Sequence, residues 1–299
     1  MTDPAPHDVA RPAPAAVTGL VPAAGRGTRL ALAEGSKELV AVPDLDAADP
    51  GAATVPVCEY LLRLYRAAGI ERLALVRRAE KRDVAAHFDA LRAGGTDVVD
   101  LVVEPTPGSA HSLALGCAAV PGATVAAGFP DIVLRPVTLV RDALAKLEET
   151  GADLCLANVP IPPAQRPEWD LCELDGDRVT GLVFKPPADP PCELPWGLCL
   201  AVWRPAFSRF LVDGLLGADG APRPEGEGLV AREPGKEVSL GHCLLAGIEA
   251  GLDARCVNAP DGFALDVGEP RRLAAAARLR RAPGSESGPD SGRGPDVRG

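Results

Sequence analysis

The sequence of 299 residues lacks a long apolar segment, since no run approaches the ~20 residues that a membrane-spanning helix requires. Residues 1–16 are rich in proline and alanine and have no apolar core of the kind found in a signal peptide. From these two absences we expect a cytoplasmic protein without a membrane partner.

Closely spaced cysteine pairs are also missing. The eight cysteines never occur as Cys-x-x-Cys, so we expect neither a zinc site nor a disulfide framework. Most of them have apolar neighbours, and we interpret them as reduced, buried small hydrophobic residues: Cys58, Cys117, Cys155, Cys172, Cys192, Cys199, Cys243 and Cys256.

Basic residues are scarce. The chain has 31 Lys and Arg against 41 Asp and Glu, a net charge of −10, which argues against a nucleic-acid partner. Only five of the basic residues are lysines, so Lys37 and Lys185 are less expected to be generic surface charges. Hydrophobic residues make up 46% of the chain, which is enough for a sizeable core.

Alternating strand and helix patterns occupy residues 17–281, which we predict to form one domain between disordered ends at 1–16 and 282–299. Repeated βα units predict an α/β fold with a doubly wound, mostly parallel mixed sheet of Rossmann-like type. A small β-hairpin region is predicted in the second half, around Asp175-Gly176. The predicted strands are 17–20, 71–76, 98–103, 124–127, 152–159, 198–203 and 254–258, and the predicted helices are 57–69, 81–93, 110–120, 136–150 and 238–250.

A glycine loop follows the first predicted strand and precedes a lysine. Gly25 and Gly27 allow a tight turn whose N–H groups suit phosphate oxygens. Arg29 adds a planar cation and Lys37 a mobile one, and such a pair suits a reaction among phosphates. The loop matches neither GxxxxGK[ST] nor GxGxxG. The alternative is an ordinary strand–turn–helix with two solvated cations.

Two aspartates follow apolar segments further along the chain. Asp131 ends the segment Gly-Phe-Pro-Asp, and Asp266 lies in Ala-Leu-Asp-Val-Gly. Ligands of α/β sheets bind at the carboxyl ends of the strands. Two carboxylates at such ends would share a Mg²⁺ that neutralises a triphosphate. The alternative is that each aspartate is a turn or cap residue.

Taken in order, these motifs resemble the signature of the sugar-1-phosphate nucleotidyltransferases. That signature is a glycine loop with GTR, a lysine in a PK or SK pair, a GD motif, an EKP motif, a NAGIYVF-like strand and an LDxGxPxxL motif. The likeness runs from about Gly19 to about Ala276 and is greatest to glucose-1-phosphate thymidylyltransferases and their uncharacterised relatives. The matching segments here are 25–29, 36–37, 128–131, 184–186, 196–202 and 265–273.

The resemblance implies an enzyme on a Rossmann-like nucleotidyltransferase fold. The oxygen of a sugar-1-phosphate, or of a similar phosphorylated molecule, would attack the α-phosphorus of a nucleoside triphosphate, and pyrophosphate would leave. Arg29 would stabilise the leaving phosphates, Lys37 would bridge the phosphates, and Lys185 would orient the attacking phosphate. The cofactor would be Mg²⁺ on Asp131 and Asp266. The nucleotide contacts would be Ala24, Gly25, Gly27, Thr28 and Glu104.

Three substrate positions depart from the family pattern. Phe184 replaces the EKP glutamate, Trp196 replaces the NAG asparagine, and Asp170 stands in place of the usual glycine. Acceptors other than glucose phosphates, such as a cyclitol or another small phosphate, therefore stay open, as does cytidylyl or guanylyl transfer. A non-catalytic subunit that senses nucleotide sugars is disfavoured because the five charged motif residues are all present. A homo-oligomeric assembly is left open.

The base contact generates a first prediction. Glu104 stands where thymidylyltransferases carry a glutamine, and an ionised glutamate can only accept hydrogen bonds. Opposite O4 of uracil or thymine it would leave an unmatched acceptor, at a cost of about 1–3 kcal/mol. We expect cytidine or guanosine triphosphate to be preferred, and Glu104→Gln to shift the preference towards the uridine and thymidine triphosphates. In the alternative, Glu104 faces solvent and a backbone amide reads the base.

The measurement is kcat/KM for each triphosphate with the parent and with Glu104→Gln. A parent that prefers thymidine or uridine triphosphate, with a ratio unchanged by the substitution, would show that Glu104 does not read the base.

Overall fold

The computed structural model describes residues 16–25, 35–47, 53–223, 229 and 237–276. The helices in this part of the chain are α1 (Cys58–Ala67), α2 (Arg82–Ala93), α3 (Ser109–Ala119), α4 (Leu139–Thr150), α5 (Pro205–Leu215), α6 (Leu240–Glu249) and α7 (Pro270–Ala276). The strands are β1 (Val17–Ala23), β2 (Ala41–Pro43), β3 (Thr54–Pro56), β4 (Arg72–Arg77), β5 (Asp97–Val102), β6 (Thr124–Gly128), β7 (Ile132–Arg135), β8 (Leu154–Pro160), β9 (Asp170–Asp175), β10 (Arg178–Phe184), β11 (Trp196–Trp203), β12 (Ala254–Asn258) and β13 (Phe263–Asp266). In these ranges no helix combines the length and the apolar character that crossing a bilayer demands. The ends predicted to be disordered lie outside the described residues, apart from Ala16.

Nine of the described strands form a mixed central sheet in the order β5-β4-β1-β6-β11-β8-β12-β10-β9. The first four strands run parallel to one another, and β12 is parallel to β8. Strand β11 lies between β6 and β8 and is antiparallel to both. The prediction of a mostly parallel sheet therefore holds only for the first half of the chain, and the sheet as a whole is mixed. Strands β9 and β10 pair antiparallel on either side of Gly176, where φ is +61°.

The sheet is buried on both faces because its strands are apolar at successive positions. In β1, Leu20 packs into a core with α3, α5 and α6, whereas Val21 packs into a second core with α1, α2 and α4. This alternation follows from the two-residue period of a strand. Helices consequently cover both sides of the sheet, which leaves its edges and strand ends for binding.

One glycine sets how closely α3 lies on the sheet. A Cβ added at Gly116 would be 2.3 Å from Cδ1 of the fully buried Leu20 and 3.0 Å from Val76. Only glycine lets the helix approach to this distance. The approach brings the first turn of α3 to the edge where β1 and β4 end.

The sequence analysis missed several elements and misplaced some ends. It did not predict β2, β3, β7, β13, α5 or α7, and the helix predicted over 136–150 begins at Leu139. The missed strands β2, β3, β7 and β13 have three or four residues each, which is too few to show a periodic apolar pattern in the sequence. Strands β7 and β13 matter most, because they pair with each other outside the central sheet.

Candidate active site

A cavity of about 1010 Å³ opens at the carboxyl ends of β1, β4, β5 and β6. Strand β11 runs the other way, so the beginning of β11 reaches the same edge. Eight of the residues predicted to form the site line this cavity: Ala24, Gly25, Lys37, Asp131, Asp170, Phe184, Lys185 and Asp266.

Five other predicted residues are placed differently. Glu104 is exposed and Trp196 is half-buried, and neither belongs to the lining. The residues after Glu104, from Pro105 to Ser109, do line the cavity. Gly27, Thr28 and Arg29 lie outside the described residues.

Lys37 sits in a short 3₁₀ turn, Lys37–Leu39, that two neighbours anchor to α2. Asp83 accepts hydrogen bonds from the backbone N–H and the hydroxyl of Ser36, both at 2.7 Å. On the other side of Lys37, the Glu38 carboxylate is 1% exposed and accepts a hydrogen bond from Lys81 Nζ at 2.6 Å. The buried Glu38–Lys81 pair and the contacts with Asp83 hold the turn in place. The Lys37 side chain is thereby kept in the cavity lining.

The Lys37 ammonium contacts one of the two predicted metal ligands. Nζ lies 2.5 Å from Oδ2 of Asp131, and a Cβ at Gly25 would be 3.9 Å from the same ammonium. Burial acts to lower the pKa of Lys37, but the charge and the hydrogen bond of Asp131 outweigh it and raise the pKa above its usual value. Lys37 is therefore a firmly charged group between the glycine loop and Asp131.

Asp131 and Asp266 come together through the β7–β13 pair. Asp266 stands opposite Ile132 in the register, and the Val267 N–H donates to the Asp131 carbonyl at 2.9 Å. Burial and the negative charge of Asp131 raise the pKa of Asp266 above its usual value. The Gly268 N–H donates to Asp266 Oδ1 at 2.7 Å.

These two carboxylates fit a hard divalent cation that also binds phosphates. A cation placed between two carboxylates offsets the repulsion between their negative charges. Within the described ranges, no group of three or more His, Cys, Asp and Glu side chains is arranged to hold a metal ion. A donor set of two carboxylates suits Mg²⁺ shared with substrate phosphates better than an all-protein site.

Lys185 lies at the end of β10 with an uncommon backbone conformation. Its φ is +38°, a region that L-residues other than glycine rarely occupy. The Lys185 N–H donates to the carbonyl of Trp169 at 3.2 Å, and the exposed side chain lines the cavity. The position of the ammonium therefore depends on the segment that contains Trp169.

One wall of the cavity carries two adjacent aromatic rings. The rings of Phe184 and His242 lie 4.2 Å apart between centroids. A Cβ at Gly241 would be 2.8 Å from Oδ2 of Asp170 and 3.1 Å from the Phe184 ring, so the first turn of α6 packs closely on this wall. The Ser239 N–H donates to His242 Nδ1, which therefore accepts and leaves the proton of the neutral ring on Nε2.

Sequence reasoning missed several lining residues, among them Arg78, Trp169, Ser239 and His242. The Ser-x-x-His spacing at the start of α6 was the available signal, because it forms a capping box in which histidine takes the place of the usual glutamate. For Arg78 the only indication in the sequence was its position just after a predicted strand, where ligands of α/β sheets bind.

No protein-family model matches the chain, and no curated protein matches it. Many solved structures do match. A protein described as a glucose-1-phosphate thymidylyltransferase from Bacillus anthracis, solved with sucrose, has a TM-score of 0.67 and 14% identity over 89% of this chain and 97% of its own. A UTP-bound UDP-glucose pyrophosphorylase from Acinetobacter baumannii has a TM-score of 0.63 and 16% identity over 87% and 91%.

A UDP-glucose pyrophosphorylase solved with UDP-glucose has a TM-score of 0.64 and 15% identity over 87% of this chain and 96% of its own. At these identities the likeness shows the fold alone. The chain has the fold of sugar-1-phosphate nucleotidyltransferases over most of its length.

The buried Glu38–Lys81 pair generates a prediction on stability. Lys81→Met leaves the Glu38 carboxylate buried without its partner, so we expect the free energy of unfolding to fall by about 3–5 kcal/mol. The double variant Glu38→Leu/Lys81→Met removes both charges and should recover much of that loss. Urea unfolding followed by circular dichroism measures both.

Lys146→Met is the matched control, because Lys146 pairs with Glu149 and Asp177 on the surface. Removing such an exposed pair should cost less than about 1 kcal/mol. Equal losses for Lys81→Met and Lys146→Met would contradict the anchoring role.

Proposed function

We propose that this protein is a Mg²⁺-dependent nucleotidyltransferase that joins a nucleoside triphosphate to a sugar-1-phosphate or a related phosphate and releases pyrophosphate. The observation that carries the proposal is the convergence of Lys37, Asp131, Lys185 and Asp266 on one cavity. The fold of the solved neighbours supports it. Helices on both faces of the sheet support the doubly wound, Rossmann-like class.

The proposed chemistry needs positioning and charge stabilisation rather than a general base. An acceptor phosphate is already an anion at neutral pH, so one of its oxygens attacks the α-phosphorus directly. The bond between the α-phosphorus and the bridging oxygen then breaks, and pyrophosphate leaves with that oxygen. Fixed cations stabilise the charge that moves towards the leaving group.

Each cation has a separate position in this scheme. Lys37 keeps Asp131 as a partner and still has donors left for a phosphate oxygen, because an ammonium carries three. Lys185 directly follows Phe184 of the aromatic wall, where it would hold the acceptor phosphate. Arg29 is assigned to the leaving phosphates from its place in the glycine loop. Mg²⁺ held by Asp131 and Asp266 would supply neutralisation of the triphosphate charge.

The acceptor-side wall favours a second candidate within the same class. Phe184 presents an apolar ring at the position where the EKP motif carries a glutamate that would bind sugar hydroxyls, while His242 and Asp170 beside it remain polar. This observation favours an acceptor other than a glucose phosphate. A pyrophosphate-release screen of five nucleoside triphosphates against a panel of hexose, deoxyhexose, cyclitol and small alkyl phosphates tests it. Release with no pair, together with binding of a nucleotide sugar, would instead favour a sensing subunit.

The loop cations provide the first kinetic prediction. Lys37→Ala and Arg29→Ala should each lower kcat by about 10²–10³-fold, because each removes a donor that stabilises transferring charge. Lys146→Ala is the control and should keep parental activity, because Lys146 does not line the cavity. Activity within about threefold of the parent for both loop variants would remove this loop from the catalytic site, since even one such donor is worth more than that.

The two carboxylates provide the second kinetic prediction. Asp131→Asn and Asp266→Asn should each abolish most Mg²⁺-dependent activity, because a neutral amide is a weaker ligand for a hard cation. Initial rates over a Mg²⁺ series measure the effect, with the exposed Asp89→Asn as control. Parental activity at limiting Mg²⁺ would exclude that carboxylate from the metal site.

A further inference from the structure

Arg272 joins two carboxylates that come from distant parts of the chain. It lies in the first turn of α7, directly after β13, and its side chain is 14% exposed. Nη1 donates to Asp266 Oδ2 at 2.8 Å, and Nη2 lies 2.5 Å from Glu168 Oε2. The planar guanidinium has its donors in a fixed fork, so it can hold both carboxylates at once, which an ammonium does less well.

The Glu168 contact leads towards the acceptor side of the cavity. Glu168 immediately precedes Trp169, and the Trp169 carbonyl accepts the hydrogen bond from the Lys185 N–H. Glu168, Trp169 and Lys185 all line the cavity. A continuous series of contacts thus runs from Asp266 through Arg272 and Glu168 to the backbone of Lys185.

We propose that Arg272 is a positioning residue that orients Asp266 for the metal and sets the acceptor-phosphate lysine, Lys185, relative to it. The proposal rests on the proposed function. Asp266 is held on both oxygens, Oδ1 by the Gly268 N–H and Oδ2 by Arg272. Each carboxylate oxygen has a further lone pair, so the orientation is set while capacity for a cation remains.

Arg271 provides a matched control beside Arg272. It lies 2.6 Å from Oε1 of the same Glu168, and it also pairs with Glu269. Its side chain is 71% exposed, and its ion pairs with Glu168 and Glu269 do not involve Asp266. Replacing either arginine with methionine removes the same charge from the same helix, but only Arg272→Met releases Asp266.

The first measurement is binding of Mn²⁺–tripolyphosphate to the intact protein by titration calorimetry, which requires neither turnover nor a known base. Arg272→Met should weaken binding about 10-fold or more, as loss of a group that orients a metal ligand does. Arg271→Met should stay within about twofold of the parent, since exposed pairs contribute little. Arg272→Lys keeps the charge without the fork and should also bind more weakly than Arg271→Met. If Arg272→Met fails to fold, the binding of Arg272→Lys tests the role of Arg272 in its place.

The second measurement follows Glu168→Gln, which weakens the contact towards Lys185 but leaves Asp266 with Arg272. Its Mn²⁺–tripolyphosphate binding should match the parent, whereas the KM for the acceptor phosphate should rise with little change in kcat. Equal binding by Arg272→Met and Arg271→Met, or no binding by the parent, would overturn the role of Arg272. A parent that binds the probe normally but releases no pyrophosphate in the screen would overturn the proposed reaction instead.

Discussion

Two carboxylates that face the same cavity, the buried Asp131 and the half-buried Asp266, impose the main electrostatic constraint on this structure. Partial burial raises the cost of ionising Asp266, and the negative charge of Asp131 adds to that cost. One cation compensates each of them in the fold, Lys37 for Asp131 and Arg272 for Asp266. The surroundings of the cavity are arranged largely to hold those two cations in place.

The two cations depend on different supports. Lys37 is held by a turn that Asp83 anchors on one side and the buried Glu38–Lys81 pair on the other. Arg272 is held by Glu168, which precedes the Trp169 carbonyl that accepts from the Lys185 N–H. The glycine-loop side and the acceptor side are therefore linked through the same pair of carboxylates. In a chain with a net charge of −10, such local concentration of cations is what makes an anionic ligand plausible.

The fold and the aromatic wall of the cavity depend on the sequence in different ways. The fold is shared with proteins only 14–16% identical to the chain, because a fold tolerates exchange of apolar residues of similar size. The Phe184–His242 wall depends on particular side chains and on the close approach of Gly241. Under the proposed function, this wall would set the choice of acceptor, whereas the fold supports the reaction class.

The sequence by itself determined the alternation of strands and helices in the first half, because apolar periodicity and glycine positions act locally. It also identified Lys37, Asp131, Lys185 and Asp266 as one group through the order of their motifs. It could not locate β7 and β13, whose few residues carry no period, nor the antiparallel β11 between two other strands. The contacts of Lys37 with Asp131 and of Arg272 with Glu168 follow only from the tertiary structure, since they join residues about a hundred positions apart.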